Sequence, residues 1–415
     1  MKSRAPTSFG DRTQKRRWGM ITALGVFLVL LVGLVLGVAM LAHPGKSVSA
    51  STVDNVYIST GDGILNKLNG STGAALWHTQ VTDRNLPASP AIANGVAYFG
   101  TLGGNFYALN ANTGQTIWHN QMGDNIISSP VVVNNVVYIG SDNNYIYALN
   151  ASNGSVLWRF DAGVGNETVA TRSVAVANGV VYGSSSDQVD HSYLFAINAT
   201  NGQQLWRDKV LNQLFTDVKF ANGTIYLASS AITKEGGPHT TDSYVYAYDP
   251  KTGSRLWISG KIGNLVLSAP TIANGVVYVG SQDDAVYALN ASTGAKIWRQ
   301  PLAGPINTSP VVANGNVYVG VATGQSTAAP SRTSDATTTT GSIVALNAST
   351  GKLVWQQQQI NDYMGTPLVY ANNLIYVGNN TNKVYAFNAA TSNPVWSYQM
   401  NSAVPFNNAP IAAAP

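Results

Sequence analysis

Cysteine is absent from all 415 residues of the chain. Its absence excludes disulfide bonds, thiolate metal sites, cysteine nucleophiles and a lipid-modified N-terminal cysteine. Charged residues are scarce as well, at 10% of the sequence, whereas Asn, Thr, Ser and Gly are abundant. A surface of this neutral, polar kind argues against nucleic acid as a partner.

Common catalytic motifs are also missing from the sequence. It contains no Gly-rich phosphate loop, no His-Glu-x-x-His pair and no serine nucleophile elbow. The histidines are scattered, at positions His43, His78, His119, His191 and His239. We therefore predict no catalytic residue, no metal site and no cofactor-binding residue.

The N-terminal segment differs from the rest of the chain. Met20 to Ala42 is an uncharged apolar run, long enough to cross a bilayer core of about 30 Å as a helix. The formal net charge of +4 arises upstream, where Asp11 alone opposes six basic residues, Lys2, Arg4, Arg12, Lys15, Arg16 and Arg17. These charges predict a cytoplasmic N-terminus and an exported remainder.

A cleaved signal peptide is the alternative interpretation of this segment. Val48-Ser49-Ala50 resembles a small-residue cleavage site and follows the helix-breaking His43-Pro44-Gly45. Both interpretations place the remainder outside the cytoplasm, at the cell membrane or secreted. We predict a basic tail (1–19), a membrane anchor or uncleaved signal (20–42), a linker (43–52) and a repeat domain (53–415).

A ten-residue pattern, represented by LNASTGAKIW from Leu289 to Trp298, recurs eight times and ends each time in tryptophan. Only Trp18 lies outside the repeats, and the repeat tryptophans are Trp77, Trp118, Trp158, Trp206, Trp257, Trp298, Trp355 and Trp396. Their spacings are 41, 40, 48, 51, 41, 57 and 41 residues, which is a base period near 41 with three enlarged units. Such a period is typical of a propeller or solenoid.

One unit, from Ser128 to Phe160, divides at turn signals into four segments of strand length. Asn-Gly pairs between the first two segments, such as Asn274-Gly275, predict two-residue turns with positive φ. The Asn of LNAST is expected to form an Asx turn, with the following Gly in the left-handed region. The unit is therefore predicted to be a four-stranded antiparallel meander.

The two ends of the repeat region complete each other. The first unit begins at Val53 without a first strand, and the chain ends at 408–413 with a first strand that nothing follows. The predicted fold is therefore all-β: an eight-bladed β-propeller of four-stranded antiparallel blades, closed by the C-terminal strand and preceded by one transmembrane helix.

The repeat A-L-N-x-x-T-G-x-x-x-W resembles the tryptophan-docking repeat of quinoprotein-type (PQQ-repeat) eight-bladed β-propellers, in which Asp usually stands at the Asn position. The resemblance covers about Val53 to Ala413. It implies that the eight repeat tryptophans are structural, each packing against the turn of a neighbouring blade. The family includes quinoprotein alcohol dehydrogenases, which bind pyrroloquinoline quinone with calcium, and non-catalytic relatives such as the outer-membrane assembly lipoprotein BamB.

The dehydrogenases of this family typically carry adjacent cysteines beside the quinone, and this chain has none. The resemblance therefore favours the BamB-like, non-catalytic branch, with no cofactor expected. Pyrroloquinoline quinone with calcium is implied only under the alternative of a dehydrogenase-like oxidoreductase. A third hypothesis is a sensor domain that signals through the helix.

Departures from the repeat indicate a binding face. Val174 and Val218 replace the first-strand proline in blades four and five, and blade seven has a low-complexity loop at 323–341. Because the loops between second and third strands share one face with the blade connections, the irregular segments should meet there. The candidate binding residues are Glu167, Arg172, Asp187, His191, Asp217, Lys219, Lys234, His239 and Asp242. The expected ligand is a protein, peptide or cell-surface polymer.

Overall fold

A computed structural model describes most of the repeat domain. The described residues are 55–81, 83, 86–163, 170–171, 174–186, 192–210, 213–214, 216–230, 242–323, 340–360, 367–379, 381–401 and 411–414. The chain divides into a unit of residues 1–52 and a unit of residues 53–415. The predicted tail, anchor and linker lie outside the described residues. Within the described ranges, no helix combines the length and apolarity needed to cross a membrane.

Eight antiparallel sheets form the blades of the propeller, as predicted. In the first blade β1 (Asn55–Ser59), β2 (Ile64–Asn69) and β3 (Ala75–Gln80) are completed by the C-terminal β34 (Ile411–Ala414). β34 pairs with β1 from Asn55↔Ala414 to Ile58↔Ile411. The predicted closure of the ring by the chain end is therefore confirmed.

Blades two to four follow the chain in order, each running from its inner to its outer strand. Blade two consists of β4 (Ala91–Ala93), β5 (Val96–Gly100), β6 (Asn105–Asn110) and β7 (Thr116–Gln121). Blade three consists of β8 (Val131–Val133), β9 (Val136–Gly140), β10 (Tyr145–Asn150) and β11 (Val156–Asp161). Blade four consists of β12 (Ala170–Thr171), β13 (Ala175–Ala177), β14 (Val180–Ser186), β15 (Ser192–Asn198) and β16 (Gln204–Val210).

The remaining blades continue the same order. Blade five consists of β17 (Gln213–Leu214), β18 (Lys219–Ala221), β19 (Thr224–Ser230), β20 (Ser243–Tyr248) and β21 (Arg255–Ile258). Blade six consists of β22 (Thr271–Ala273), β23 (Val276–Ser281), β24 (Ala285–Asn290) and β25 (Lys296–Pro301). Blade seven consists of β26 (Val311–Ala313), β27 (Asn316–Thr323), β28 (Thr340–Asn347) and β29 (Leu353–Ile360). Blade eight consists of β30 (Val369–Ala371), β31 (Leu374–Gly378), β32 (Lys383–Asn388) and β33 (Pro394–Gln399).

Blades four and five depart from the uniform four-stranded prediction. In each, the inner strand is divided into two pieces, and both pieces pair with the second strand. β12 and β13 pair with β14, whereas β17 and β18 pair with β19. The division is possible because β14 and β19 are longer than the five-residue β9, so they offer additional backbone partners.

The predicted turn chemistry is confirmed. Asn274 and Gly275 adopt φ values of 50° and 76°, as two-residue turns of this kind require. In the LNAST turn of blade six, the Asn290 side-chain oxygen accepts the backbone N–H groups of Ser292 and Thr293. Asp249 accepts the corresponding bonds from Lys251 and Thr252 in blade five.

Each repeat tryptophan contacts the next blade around the ring. The indole Nε1 of Trp257 donates to the Ala291 carbonyl at 3.0 Å, and its ring lies against Gly294. Trp396 of blade eight donates in the same way to Gly70 of blade one, at 2.8 Å. Tyrosine hydroxyls from the second strands donate to the same carbonyls. Tyr226, for example, donates to the Ala291 carbonyl.

Apolar side chains fill the space between neighbouring blades. Between blades six and seven, Val286 and Ala288 pack with Val317, Val319 and Leu346 in one fully buried cluster. Since strand residues alternate between the two faces of a sheet, each blade contributes to the cluster on either side. The propeller core is thus a ring of interblade clusters.

The two ends of the propeller differ in construction. One end carries the Asn-Gly and LNAST turns, and we call it the turn face. The other carries the loops between second and third strands and the connections between blades, and we call it the loop face. β1 begins at the turn face, because its first residue pairs with the end of β34 and with Asn69 of the first Asx turn.

Candidate functional site

The loop face departs from the repeat in blades four, five and seven. The second strands β14 and β19 have seven residues and β27 has eight, compared with five in β9. The additional residues extend these strands at the loop-face end. Because β14 contacts β17 of the next blade, the extended ends of blades four and five form one continuous raised edge.

Three of the nine candidate binding residues lie in the described part of the chain. Asp217 lies between β17 and β18, the two pieces of the inner strand, and Lys219 is the first residue of β18. Their side chains form an ion pair with 3.9 Å between Lys219 Nζ and Asp217 Oδ2, and they are 43% and 37% exposed. The two charges therefore neutralise each other and remain accessible to a ligand.

The third described candidate, Asp242, forms an ion pair with Lys261 where blade five connects to blade six. Hydrogen bonding and charge attraction to Asp242 raise the pKa of Lys261. Blade five thus has two exposed ion pairs, one on its inner strand and one at its connection to blade six. Six candidates lie outside the described residues, namely Glu167, Arg172, Asp187, His191, Lys234 and His239.

Two buried hydroxyl groups without partners face the junction of blades four and five. Ser184 lies on β14 two residues beyond Tyr182, and Ser229 lies on β19 two residues beyond Leu227. Tyr182 and Leu227 both belong to the buried cluster between these blades. Residues two apart on a strand share a face. Both serines are 0% exposed, and neither hydroxyl has a hydrogen-bond partner.

Sequence reasoning missed a charged cluster in blade six. The hydroxyl of Tyr287 donates to Asp283 Oδ2 at 2.5 Å, and Arg299 donates to the Tyr287 hydroxyl and to Asp283 Oδ2, both at 3.0 Å. These bonds raise the pKa of Arg299. The available signal was an acidic residue at 283, where blade three has Asn143 in the same loop.

Aspartates concentrate on the loop face. Of the eleven described aspartates, all but Asp208, Asp217 and Asp249 lie in its loops, in the blade connections or at strand ends beside them. They are Asp62, Asp83, Asp124, Asp142, Asp161, Asp242, Asp283 and Asp284. The loop face therefore differs in charge from the turn face, which composition alone does not show.

These carboxylates do not converge on a metal position. Calcium takes six to eight oxygen ligands, whereas Asp83 bonds with Thr101 and Asn105, and Asp283 bonds with Tyr287 and Arg299. Within the described ranges, no group of three His, Cys, Asp or Glu side chains is placed to hold a metal ion. The described aspartates therefore do not form a calcium site.

Comparison with known sequences identifies one family across most of the chain. The profile of the family described as "Outer membrane protein assembly factor BamB" matches residues 61–218, 241–336 and 320–414. The profile spans the described blades from the first to the closing strand, which agrees with the repeat analysis.

Individual relatives match only part of their own length. Tetrathionate hydrolase of Acidithiobacillus ferrooxidans is 32% identical over 137 residues, covering 31% of this chain and 27% of that protein. Quinoprotein alcohol dehydrogenase PedH of Pseudomonas putida is 27% identical over 149 residues, covering 32% of this chain and 23% of that protein. The matched stretch thus spans about a quarter of these relatives.

The fold is also found in a solved structure. BamB from Moraxella catarrhalis superposes with a TM-score of 0.61 at 19% identity, covering 80% of this chain and 92% of that one. At this identity the likeness concerns the fold alone. Quinohemoprotein alcohol dehydrogenase from Comamonas testosteroni superposes with the same TM-score of 0.61, so the fold by itself does not assign an activity.

Proposed function

This chain belongs to the family described as outer membrane protein assembly factor BamB, and from that premise we propose that it is a non-catalytic binding module. Its ligand is a protein, which binds the loop face of blades four and five. Peptides and cell-surface polymers are the other ligand classes that a neutral polar surface suits. Membership of a family of outer membrane protein assembly factors favours a protein among them.

The observation that supports this proposal is the local breakdown of the repeat. Seven-residue second strands and divided inner strands occur together in adjacent blades, and β14 contacts β17 between them. Repetition accounts for folding, so a departure shared by two neighbours calls for another cause. Blade five also carries two exposed ion pairs, Asp217–Lys219 on its inner strand and Asp242–Lys261 at its connection to blade six.

A crosslinking experiment in intact cells tests the proposal. A photoreactive amino acid placed at the exposed Lys261, in the connection that follows blade five, should capture a defined protein. Charge reversal at Asp217 (Asp217→Lys) should reduce the yield of that product at least fivefold, because the Asp217–Lys219 pair becomes repulsive. Deletion of 324–339 in blade seven is the matched control and should retain capture. Equal capture from Asn274, on the turn face, would contradict the proposal.

We further propose that residues 20–42 anchor the chain in the cell membrane as a single span, with the propeller on the extracytoplasmic side. The uncharged run and its basic flank support this topology. Because the chain has no cysteine, one cysteine introduced at Ser292 provides a unique label. A membrane-impermeant maleimide should label it in intact cells. Release of the labelled chain into the medium would instead indicate a cleaved signal.

A dehydrogenase-like oxidoreductase is the alternative, and the match to quinoprotein alcohol dehydrogenase PedH favours it. Under this alternative, pyrroloquinoline quinone and calcium bind on the loop face. Addition of both to the purified protein, followed by dye reduction with alcohols or sugars, distinguishes the two functions. Quinone-dependent turnover would overturn the non-catalytic proposal.

A further inference from the structure

The outer rim of blades five, six and seven carries cations and aliphatic side chains together. On three consecutive blades a basic residue is followed directly by an aliphatic one at the turn-face end of the outer strand. We call this set the rim patch, and its residues are Arg255, Leu256, Lys296, Ile297, Lys352 and Leu353. All six are exposed, and the aliphatic side chains are 49% to 55% accessible.

The rim patch is continuous from blade five to blade seven, because the tryptophan beside each pair contacts the turn of the next blade. Trp257, which follows Leu256, donates to Ala291 in the turn that leads to Lys296. Trp298, which follows Ile297, donates to Ala348 in the turn that leads to Lys352. Each pair of one basic and one aliphatic residue therefore lies beside the turn that precedes the corresponding pair of the next blade.

A β-bulge accounts for the outward position of Leu256 and Ile297, whereas in blade seven the bulged residue is Val354 and Leu353 pairs with Leu346. In blade six Ala288 pairs with Trp298 and Leu289 pairs with Lys296, so Ile297 has no partner in the ladder. A bulge inserts an extra residue and locally re-aims the side chains. Ile297 is consequently 49% exposed, although Trp298 beside it packs against the next blade.

Exposed aliphatic side chains occur at this end of the outer strand in every blade, for example Leu76, Leu205 and Val395, but the cations beside them are specific to blades five to seven. At the corresponding positions the other five blades carry only neutral residues, which are Ala74, Ala75, Gln115, Thr116, Ser155, Val156, Gln203, Gln204, Asn393 and Pro394. Lys251 in the neighbouring turn adds a further exposed cation. The nearby Asp249 is committed to its Asx turn, whose backbone N–H groups lower its pKa.

We propose that the rim patch is a docking surface for anionic phospholipid membranes. Basic side chains beside exposed aliphatic ones are the combination that binds an anionic interface, since the cations meet headgroups and the aliphatic groups enter the acyl boundary. The described aspartates support this orientation of the propeller, because eight of the eleven lie at the opposite, loop face. Docking through the rim patch leaves that face directed away from the lipid.

The position at which the chain enters the propeller agrees with this arrangement. β1 begins at the turn face, where the patch also lies. An anionic polymer would use the cations equally but would gain little from three exposed aliphatic side chains. The aliphatic half of the patch therefore favours lipid over a polymer. The proposal is independent of the loop-face function.

Vesicle flotation with residues 53–415 tests the proposal. The closing strand and all eight tryptophan contacts lie within this span, so the ring closes without the preceding residues. We expect binding to vesicles containing half phosphatidylglycerol, none to pure phosphatidylcholine, and a decline with added salt. Failure to bind the anionic vesicles at low ionic strength would overturn the proposal.

Two matched triple variants locate the surface. Arg255→Gln, Lys296→Gln and Lys352→Gln together should weaken partition about 100-fold, since each cation near an anionic surface contributes about fivefold. Arg159→Gln, Lys261→Gln and Lys383→Gln together change the net charge equally but should weaken partition less than threefold. Equal losses in the two triples would show that net charge rather than the patch drives binding, which contradicts the proposal.

A third variant separates lipid from polymer. Leu256→Ser, Ile297→Ser and Leu353→Ser together should weaken vesicle binding at least tenfold, because three apolar groups no longer enter the bilayer. Binding to soluble dextran sulfate serves as the comparison and should be weak in every variant. Strong dextran sulfate binding, with vesicle binding unaffected by the three serines, would identify an anionic polymer instead and overturn the lipid assignment.

Discussion

Two adjacent serines on β14 are equally buried but differ in hydrogen bonding. Ser184 and Ser185 are 0% and 1% exposed. The Ser185 hydroxyl donates to the Ala162 carbonyl at 3.0 Å, whereas the Ser184 hydroxyl has no partner. A buried hydroxyl without a partner costs free energy, and a satisfied one stabilises the fold modestly. The two residues should therefore respond oppositely to the same substitution.

Ser184→Ala should raise the free energy of unfolding by about 1 kcal/mol, because it removes an unsatisfied buried group. Ser185→Ala should lower it by about 1 kcal/mol, because the Ala162 carbonyl loses its donor. Denaturant unfolding of the two variants beside the parent chain measures both changes. A decrease in both variants would show that the Ser184 hydroxyl has a bonding partner, such as a bound water.

At the scale of the structural element, seven of the eight blade junctions have a turn glycine in the left-handed region, and Ser392 takes this place between blades seven and eight. Gly294 has a φ of 71°, and an added Cβ would lie 2.5 Å from the Trp257 ring. Gly275, in an Asn-Gly turn, has a φ of 76° with nothing within 4 Å of an added Cβ. The two glycines thus share backbone strain but differ in contact with the neighbouring blade.

Gly294→Ala should destabilise the propeller by about 2 to 5 kcal/mol, which combines left-handed strain with the clash against Trp257. Gly275→Ala is the matched control and should cost about 1 to 2 kcal/mol, from the strain alone. Calorimetric melting of both variants gives the comparison. If the two costs are equal, the close approach of Trp257 is not a constraint on the junction.

The junctions also predict a response to alkaline pH. Burial raises the pKa of Tyr57 and Tyr376 to about 12 each, and their hydroxyls donate to Ala111 and Gly70. A tyrosine whose folded pKa lies above its unfolded value of about 10 contributes stability that is complete below pH 10 and declines as pH rises toward 12. The native state is therefore expected to lose stability across this window.

Melting temperatures measured from pH 8 to pH 12 test this expectation. The temperature should fall above pH 10, and Tyr57→Phe should reduce the slope of that fall, because one buried phenol no longer ionises on unfolding. The variant should also be less stable at pH 8, since the Ala111 carbonyl loses a donor. An unchanged slope in Tyr57→Phe would mean that this hydroxyl does not contribute to the alkaline response.

At the scale of the whole molecule, stability depends on closing the ring. Only β34 pairs with the inner edge of β1, and Trp396 bonds to Gly70 across the same junction. Deletion of residues 411–415 should lower the melting temperature by at least 10 °C, because β1 loses the backbone pairing that β34 supplies. The unpaired edge of β1 should also promote association between molecules. Deletion of Pro415 alone is the control and should have no effect. Similar melting in both would show that the first blade is stable with three strands.

The candidate site was predictable only in outline. Replacement of the repeat proline by Val174 and Val218 pointed to blades four and five, where the structure shows divided inner strands. The partners of the charged residues were not predictable, since Asp242 pairs with Lys261, which lies in the next connection. Six candidate residues lie outside the described ranges and stay predictions.

The sequence by itself determined the number of blades, their strand order, the turn types and the closure of the ring. These features follow from local chemistry repeated at a fixed spacing, such as an Asn side chain that bonds two and three residues ahead. Only the tertiary structure decided which buried hydroxyls lack partners, which charges pair, and how aspartates and exposed cations divide between the two faces. Those features depend on contacts between residues far apart in the chain, whose geometry the repeat spacing does not encode.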